Sequence, residues 1–312
     1  MERADLRGSL VPLVTPFRDG SVDDRALVDM IEWQIESGSH GLGVTGTTGE
    51  PAALSIEERE HVIELAVRAA RRRVPVIAGT GSVNADETLR LTRFAKKAGA
   101  DAALVVVPYY TRPSQEGLYQ FFRMVAGAVD MPIILYNIPG RAAVNLEVET
   151  TARLARDCRN IVGIKESNKD LEHVCRIMHR CGRRFLVYSG IELLCFPILA
   201  LGGAGHVSAT GNIMPREVAR LYDLAAAGQW DEARDLHYYL LPMNDALFME
   251  TNPVPAKAAL AMMGCCSAEV RPPHAPLRPE NEAKLRALMA EYGLLPGGEP
   301  AAVTREGLRR PS

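Results

Sequence analysis

Lys165 closes an apolar run, "NIVGIK" (160–165), where Ile161, Val162 and Ile164 have the character of a buried strand. An amine attacks a ketone only when it is neutral, and a free lysine titrates near about 10.4. Burial at a strand end disfavours the ammonium and lowers that value. Imine formation also needs a group that gives and takes protons. A tyrosine can do so, and a threonine hydroxyl can relay. Other stretches supply these groups. "TGTTGE" carries Thr47 and Thr48, "VPYYTRP" carries Tyr109 and Tyr110, and "YNIPGR" carries Tyr136 and Arg141. The "GTTG" turn offers backbone N–H groups and hydroxyls to a small carboxylate. Arg141 could bind a second carboxylate through both arms of its guanidinium. Gly163 shares a strand face with Lys165 and is expected to leave room beside the amine.

Taken singly, each group has a plainer role. Lys165 could pair with Glu50 or Glu166. Tyr109 and Tyr110 could be amphipathic rim residues, "GTTGE" an ordinary turn, and Arg141 a surface charge. The chemical reading depends on one element order that brings them together.

That order is visible as alternation. Apolar runs fall at 9–15, 41–45, 74–79, 102–108, 131–136, 160–165, 185–189 and 205–209. Their near-continuous hydrophobicity suits parallel strands covered on both faces. Helical periods lie between them, as in Val62, Leu65, Ala66 and Ala69, and in Leu91, Phe94, Ala95 and Ala98. Leu27, Met30, Ile31 and Ile35 form another stripe. Ser55 and Glu58 have the spacing of a capping box. The count predicts an α/β fold, a (β/α)8 TIM barrel with additional C-terminal helices, rather than an open doubly wound sheet. The barrel is expected over 1–228, a helical extension over 229–296, and a disordered tail over 297–312. In such a barrel the C-terminal strand ends carry the chemistry. Those are the positions of the residues above, joined by "YSGIE" after the seventh run and by Val207 and Ser208 in the eighth.

Composition narrows the class. A formal net charge of −2 removes a global attraction to nucleic acid or anionic membrane. The basic run Arg68 to Arg73 reads as a solvated helix end. No secretory h-region or membrane-spanning run is present, so a cytoplasmic protein is expected. The six cysteines lack C-x-x-C spacing and read as reduced thiols. "HVCRIMHRC" (173–181) puts Cys175 and His179 on one helix face without a third ligand, so no metal is expected. "GLGVTG" (41–46) matches G-x-G-x-x-G. Its Leu42 and Val44 belong to a strand, however, and the next helix starts only near Ser55. A dinucleotide site is therefore rejected.

The ordered set "GTTGE", "PYYTRPSQEGLYQFF", "YNIPGR", "GIKES" and "NPVPAK" resembles the dihydrodipicolinate synthase / N-acetylneuraminate lyase family, from about Gly8 to Leu295. The resemblance implies a Schiff-base pyruvate lyase without cofactor. Lys165 matches the lysine that condenses with pyruvate, and Tyr136 the tyrosine that moves protons. Thr47 and Tyr110 match its relay partners, Tyr110 coming from a neighbouring subunit. Thr48 matches the threonine that holds the pyruvate carboxylate, and Arg141 the arginine that receives the aldehyde's carboxylate. Gly190 and Val207 match residues lining the pyruvate pocket through their backbones. The implied reaction joins pyruvate to L-aspartate 4-semialdehyde in lysine and diaminopimelate biosynthesis, on a homotetramer of paired dimers.

The chain departs from the family pattern at Ile191–Glu192, where an acidic pair is usual, and at Ala142–Ala143. Another aldolase or dehydratase of the same family, acting on a sugar acid or catabolic aldehyde, is the nearest alternative. Arg141 argues against it, and Ile191–Glu192 argues for it. A non-catalytic ligand-binding paralogue is the alternative of a different class. Glu87 and Tyr109 match a lysine-inhibition site, but Ile56, Arg59 and Val83 replace its polar residues. Weak or absent lysine inhibition is expected.

Overall fold

The structure is a computed structural model and describes residues 6–297. Its centre is a closed barrel of parallel strands. In chain order these are β1 (Gly8–Pro12), β2 (Gly41–Val44), β3 (Val76–Gly79), β4 (Ala102–Val106), β5 (Ile133–Asn137), β6 (Ile161–Glu166), β7 (Leu186–Ser189) and β8 (Gly205–His206). Each strand pairs with the next, and β8 closes on β1 through Gly8–Gly205 and Ser9–His206. Closure removes every free edge and excludes the open sheet. The outer helices are α1 (Asp24–Glu36), α2 (Ile56–Ala70), α3 (Ala85–Ala98), α4 (Gln115–Ala128), α5 (Val148–Asp157), α6 (Leu171–Cys181), α7 (Cys195–Ala200) and α8 (Pro215–Ala226). An antiparallel ribbon, Phe17–Arg18 with Ser21–Val22, lies before α1.

All eight apolar runs became barrel strands, mostly trimmed at their ends. The alternation of side chains explains their composition. Along β6, Ile161 and Ile164 pack outward under the helices, while Val162 joins the barrel interior. Each fully buried aliphatic side chain contributes roughly 1.5–3 kcal/mol. The capping box forms as expected, with Ser55 Oγ accepting from Glu58 N and Glu58 returning to Ser55 N. The basic run ends α2: Arg71 turns left-handed, and Arg71 and Arg73 pair with Glu32 at 2.9 and 2.6 Å.

The strand β8 is the shortest, and side chains complete its junction. Asn212 Nδ2 donates to Pro12 O and Ala209 O at 2.9 and 3.0 Å, while its Oδ1 accepts from Val14 N. Beyond α8 come α9 (Trp230–Ala246), α10 (Val254–Met262) and α11 (Pro279–Glu291). These share one apolar cluster with α8 and with Val14 and Met30 of the barrel. The expected tail falls outside the described residues except for Gly297. Among the described residues no helix is long and apolar enough to cross a membrane.

Candidate active site

Tyr136 and Lys165 lie at the C-terminal ends of adjacent strands and are register partners across β5 and β6. Their side chains therefore stand side by side inside the barrel mouth. Lys165 is 5% exposed and Tyr136 is 4% exposed. The Nζ of Lys165 lies 4.2 Å from the centroid of the Tyr136 ring. On the other side, Thr47 Oγ1 donates to Tyr136 Oη at 3.4 Å. Amine, phenol and hydroxyl thus form a short series.

Glu50 and Glu166, the two carboxylates the sequence offered as partners for Lys165, are engaged elsewhere. Glu50 Oε1 lies 2.5 Å from Nζ of Lys257, a fully buried residue of α10. Glu166 points away from the barrel axis. It accepts from Asn137 Nδ2 at 2.9 Å and from Asn168 N at 2.8 Å. His173 Nε2 stands 3.5 Å from its other oxygen, close enough for an ion pair when the imidazole is protonated. The nearby Glu166 carboxylate raises the His173 pKa against the opposing effect of burial. His173 thus belongs to a brace behind the strands. Among the described residues no cluster of His, Cys, Asp and Glu could hold a metal ion.

Close packing shapes the space around the amine. A Cβ on Gly190 would collide with Ser167 Oγ and come within 2.8 Å of Lys165 Cε. The bare Gly190 leaves room for the lysine stem on its present path. Gly163 does not make room beside the amine as expected: a Cβ there would run into the backbone of Leu186, so its bareness lets β6 and β7 approach.

The "GTTGE" loop is held under strain. Thr45 and Glu50 both have left-handed φ, at 52° and 53°, which β-branched Thr45 in particular rarely adopts. Thr45 is fixed by donation to Gly79 O at 2.9 Å, and Thr15 donates to Gly49 O at 2.8 Å. From α10, Lys257 grips Glu50, donates to Glu269 O at 2.8 Å and lies 3.8 Å over the Phe17 ring. Burial lowers the Lys257 pKa, and Glu50 opposes that effect. The loop's shape is therefore anchored by the C-terminal helices.

These elements enclose a cavity of about 50 Å³. Lys165, Tyr136, Thr47, Thr48, Arg141, Gly190 and Val207 all line it. Thr47, Tyr136 and Arg141 also line a larger cavity of about 320 Å³. Arg141 sits on the single turn Pro139–Ala142 and donates to Asn252 O at 3.1 Å. Tyr110 is not brought to the others: it is 88% exposed, has φ 69°, and lines neither cavity. Tyr109 lines the larger one.

Sequence reasoning assigned no role to two further residues of the inner wall. Glu192, noted only as a departure, is buried there and accepts from Ala209 N at 2.7 Å. Burial raises its pKa, opposed by that hydrogen bond and by the charge of Lys165. Asn252 reaches the wall from the segment before α10 and donates to Thr48 Oγ1 at 3.0 Å. The "NPVPAK" stretch was the only trace of it.

The model of the Dihydrodipicolinate synthetase family matches residues 5–292. The chain belongs to that family. Among its relatives, a 4-hydroxy-tetrahydrodipicolinate synthase of Thermus thermophilus is 50% identical over 297 residues, covering 95% of this chain and 99% of that one. A crystal structure of dihydrodipicolinate synthase from Aquifex aeolicus superposes with a TM-score of 0.92 at 47% identity, covering 94% of this chain and all of that one. A chloride-inhibited dihydrodipicolinate synthase from Acinetobacter baumannii, complexed with pyruvate, has a TM-score of 0.91 at 40% identity, covering 93% of this chain and 100% of that one. Family membership makes this chain a lyase of the Schiff-base class, on the barrel that class uses.

Proposed function

We propose that this chain condenses pyruvate with L-aspartate 4-semialdehyde to 4-hydroxy-tetrahydrodipicolinate, with Lys165 as the nucleophile. The observation that carries this reading is the enclosed amine of Lys165 against Tyr136, whose hydroxyl is bonded to Thr47, in a cavity fit for a small molecule. Neutral Lys165 adds to the ketone carbon of pyruvate. The Tyr136 hydroxyl carries a proton to the carbinolamine oxygen, which leaves as water. The resulting protonated imine draws electrons from the adjacent methyl group, and loss of a methyl proton gives an enamine. The enamine carbon bonds to the aldehyde carbon as the carbonyl π bond opens; the aldehyde oxygen takes up the proton released from the methyl group by way of Tyr136, and the imine to Lys165 re-forms. The amine of the second substrate then displaces Lys165 as the ring closes, freeing the lysine.

Thr48 holds the pyruvate carboxylate, with Gly190 and Val207 forming the wall around it. Arg141, which borders both cavities, takes the carboxylate of the aldehyde substrate. Tyr110 completes the proton relay from a neighbouring copy in a homotetramer, a reading supported by its exposure and left-handed backbone.

Sodium borohydride reduction in the presence of pyruvate, followed by peptide mass spectrometry, tests the first half. A pyruvyl adduct on Lys165 is expected, and its absence would favour a ligand-binding paralogue. Steady-state rates with aspartate semialdehyde and with other aldehydes test the second half. No turnover of the semialdehyde beside good turnover of another aldehyde would overturn the substrate assignment.

A further inference from the structure

We propose that Asn252 is a positioning residue for the keto acid's carboxylate, acting by fixing the direction of the Thr48 hydroxyl. The inference rests on the proposed role of Thr48 and extends it to a residue supplied by the C-terminal helices.

A threonine hydroxyl has a single proton and can accept as well as donate. Asn252 Nδ2 donates to Thr48 Oγ1 at 3.0 Å, which uses the oxygen as an acceptor. The remaining Thr48 proton has no protein acceptor among the described residues and borders the Lys165 cavity. A carboxylate is the natural acceptor for it, and such a charge-assisted bond is stronger than one between neutral groups. Asn252 is itself 6% exposed, and its Oδ1 is buried without a hydrogen-bond partner among the described residues. A buried amide oxygen left unpaired is costly. A ligand N–H or O–H in the cavity, such as the carbinolamine hydroxyl, would satisfy it.

The same residue reaches the second anion-binding group, because its backbone oxygen accepts from Arg141 at 3.1 Å. Asn252 is held in place from both sides. Only Pro253 separates it from α10, whose residues Val254 to Leu260 are buried and whose Lys257 is tied to Glu50. One point of the extension therefore meets both ends of the proposed substrate pair.

The experiment is borohydride trapping across a range of pyruvate concentrations, which needs no aldehyde. Asn252→Asp keeps the side-chain shape but turns the donor into an acceptor, drawing the Thr48 proton away from the substrate. Half-saturation by pyruvate should rise roughly ten- to a hundredfold, with the trapping rate at saturation changed far less. Asn252→Ala should raise half-saturation by roughly three- to tenfold, and this increment should vanish in a Thr48→Val background, since the two residues act as a unit. If Asn252→Ala costs the same in that background, Asn252 does not act through Thr48. If neither variant shifts half-saturation, the proposal is overturned. Circular dichroism and melting curves identify any variant that fails to fold, and the isosteric aspartate variant then carries the test. Wild-type protein that pyruvate does not protect or label at Lys165 would instead refute the reading of the active site itself.

Discussion

Tyr136 and Lys165 face each other across β5 and β6 because the register between these strands shifts by one residue. Ile133 pairs with Ile161, but Ile134 pairs with Gly163, so that Val162 is passed over and Tyr136 meets Lys165. Without the shift Tyr136 would stand beside Ile164, which faces the outer helices. Bulges of this kind re-aim side chains near sites of chemistry. The irregularity also turns Val162 and Lys165, an odd number of residues apart, toward the same interior.

Tyr136→Phe keeps the ring against the amine and removes only the hydroxyl. The maximal rate should fall by roughly 10²–10⁴, with little change in pyruvate half-saturation. Stopped-flow trapping with pyruvate separates the two quantities. An unchanged rate would remove Tyr136 from the proton path.

Gly190→Ala places a methyl group against the Lys165 stem and Ser167. Overpacking of this kind costs about 1–3 kcal/mol, and the lysine must move to relieve it. Loss of the pyruvyl adduct with a folded circular dichroism spectrum is expected. Full labelling would mean the stem has more freedom than the packing implies.

Lys257→Met should destabilise the protein by roughly 3–5 kcal/mol, because Glu50 would be left buried without its partner. Urea denaturation measures it. Glu50→Gln in the same chain should recover part of the loss, since no charge would then be stranded. A loss no greater than that of an exposed lysine would contradict the latch between the "GTTGE" loop and α10.

His173 carries a pH signature. Its pKa is raised in the fold by Glu166. The folded state then binds the proton more tightly than the unfolded chain, so the stabilisation is complete below the unfolded value of about 6.5 and is lost as pH rises through the higher folded value. The stability difference between wild type and His173→Gln should be larger at about pH 5.5 than at about pH 8.5. Melting curves at both pH values check the sign. A difference that grows with pH would reverse it.

Free lysine should inhibit weakly or not at all. The guanidinium of Arg59 already occupies the wall of the larger cavity, donating to Gly79 O and Gly81 O at 2.9 and 3.2 Å. Burial lowers its pKa to about 10, opposed by Tyr109 and Glu87, so it remains a cation at neutral pH. A lysine ammonium entering there meets like charge. An inhibition curve with a submillimolar midpoint would contradict this.

Much of this arrangement was legible from local pattern. Buried parallel strands must be apolar on both faces, so "AALVVVP" and "MPIILY" read as strands without any tertiary information. The capping box of Ser55 and Glu58 is a contact within one turn, and it was readable for that reason. The strand-end rule then gathered Thr47, Thr48, Tyr136, Arg141 and Lys165 around one cavity. The partners of Glu50 and Glu166 were not legible. Lys257 lies far along the chain from Glu50, and no periodicity links them. Gly163 suggested space, whereas the neighbouring strand fills it.

By itself the sequence determined the number and order of strands, because hydrophobic burial acts on each segment according to its own composition. It also placed a lysine, a tyrosine and hydroxyls at strand ends, since those ends are marked by where each apolar run stops. Only the tertiary structure decided which face each side chain took and which partner it met. A single passed-over residue in β6 changes the register, and contacts such as Asn252 with Thr48 join segments whose separation along the chain carries no local signal.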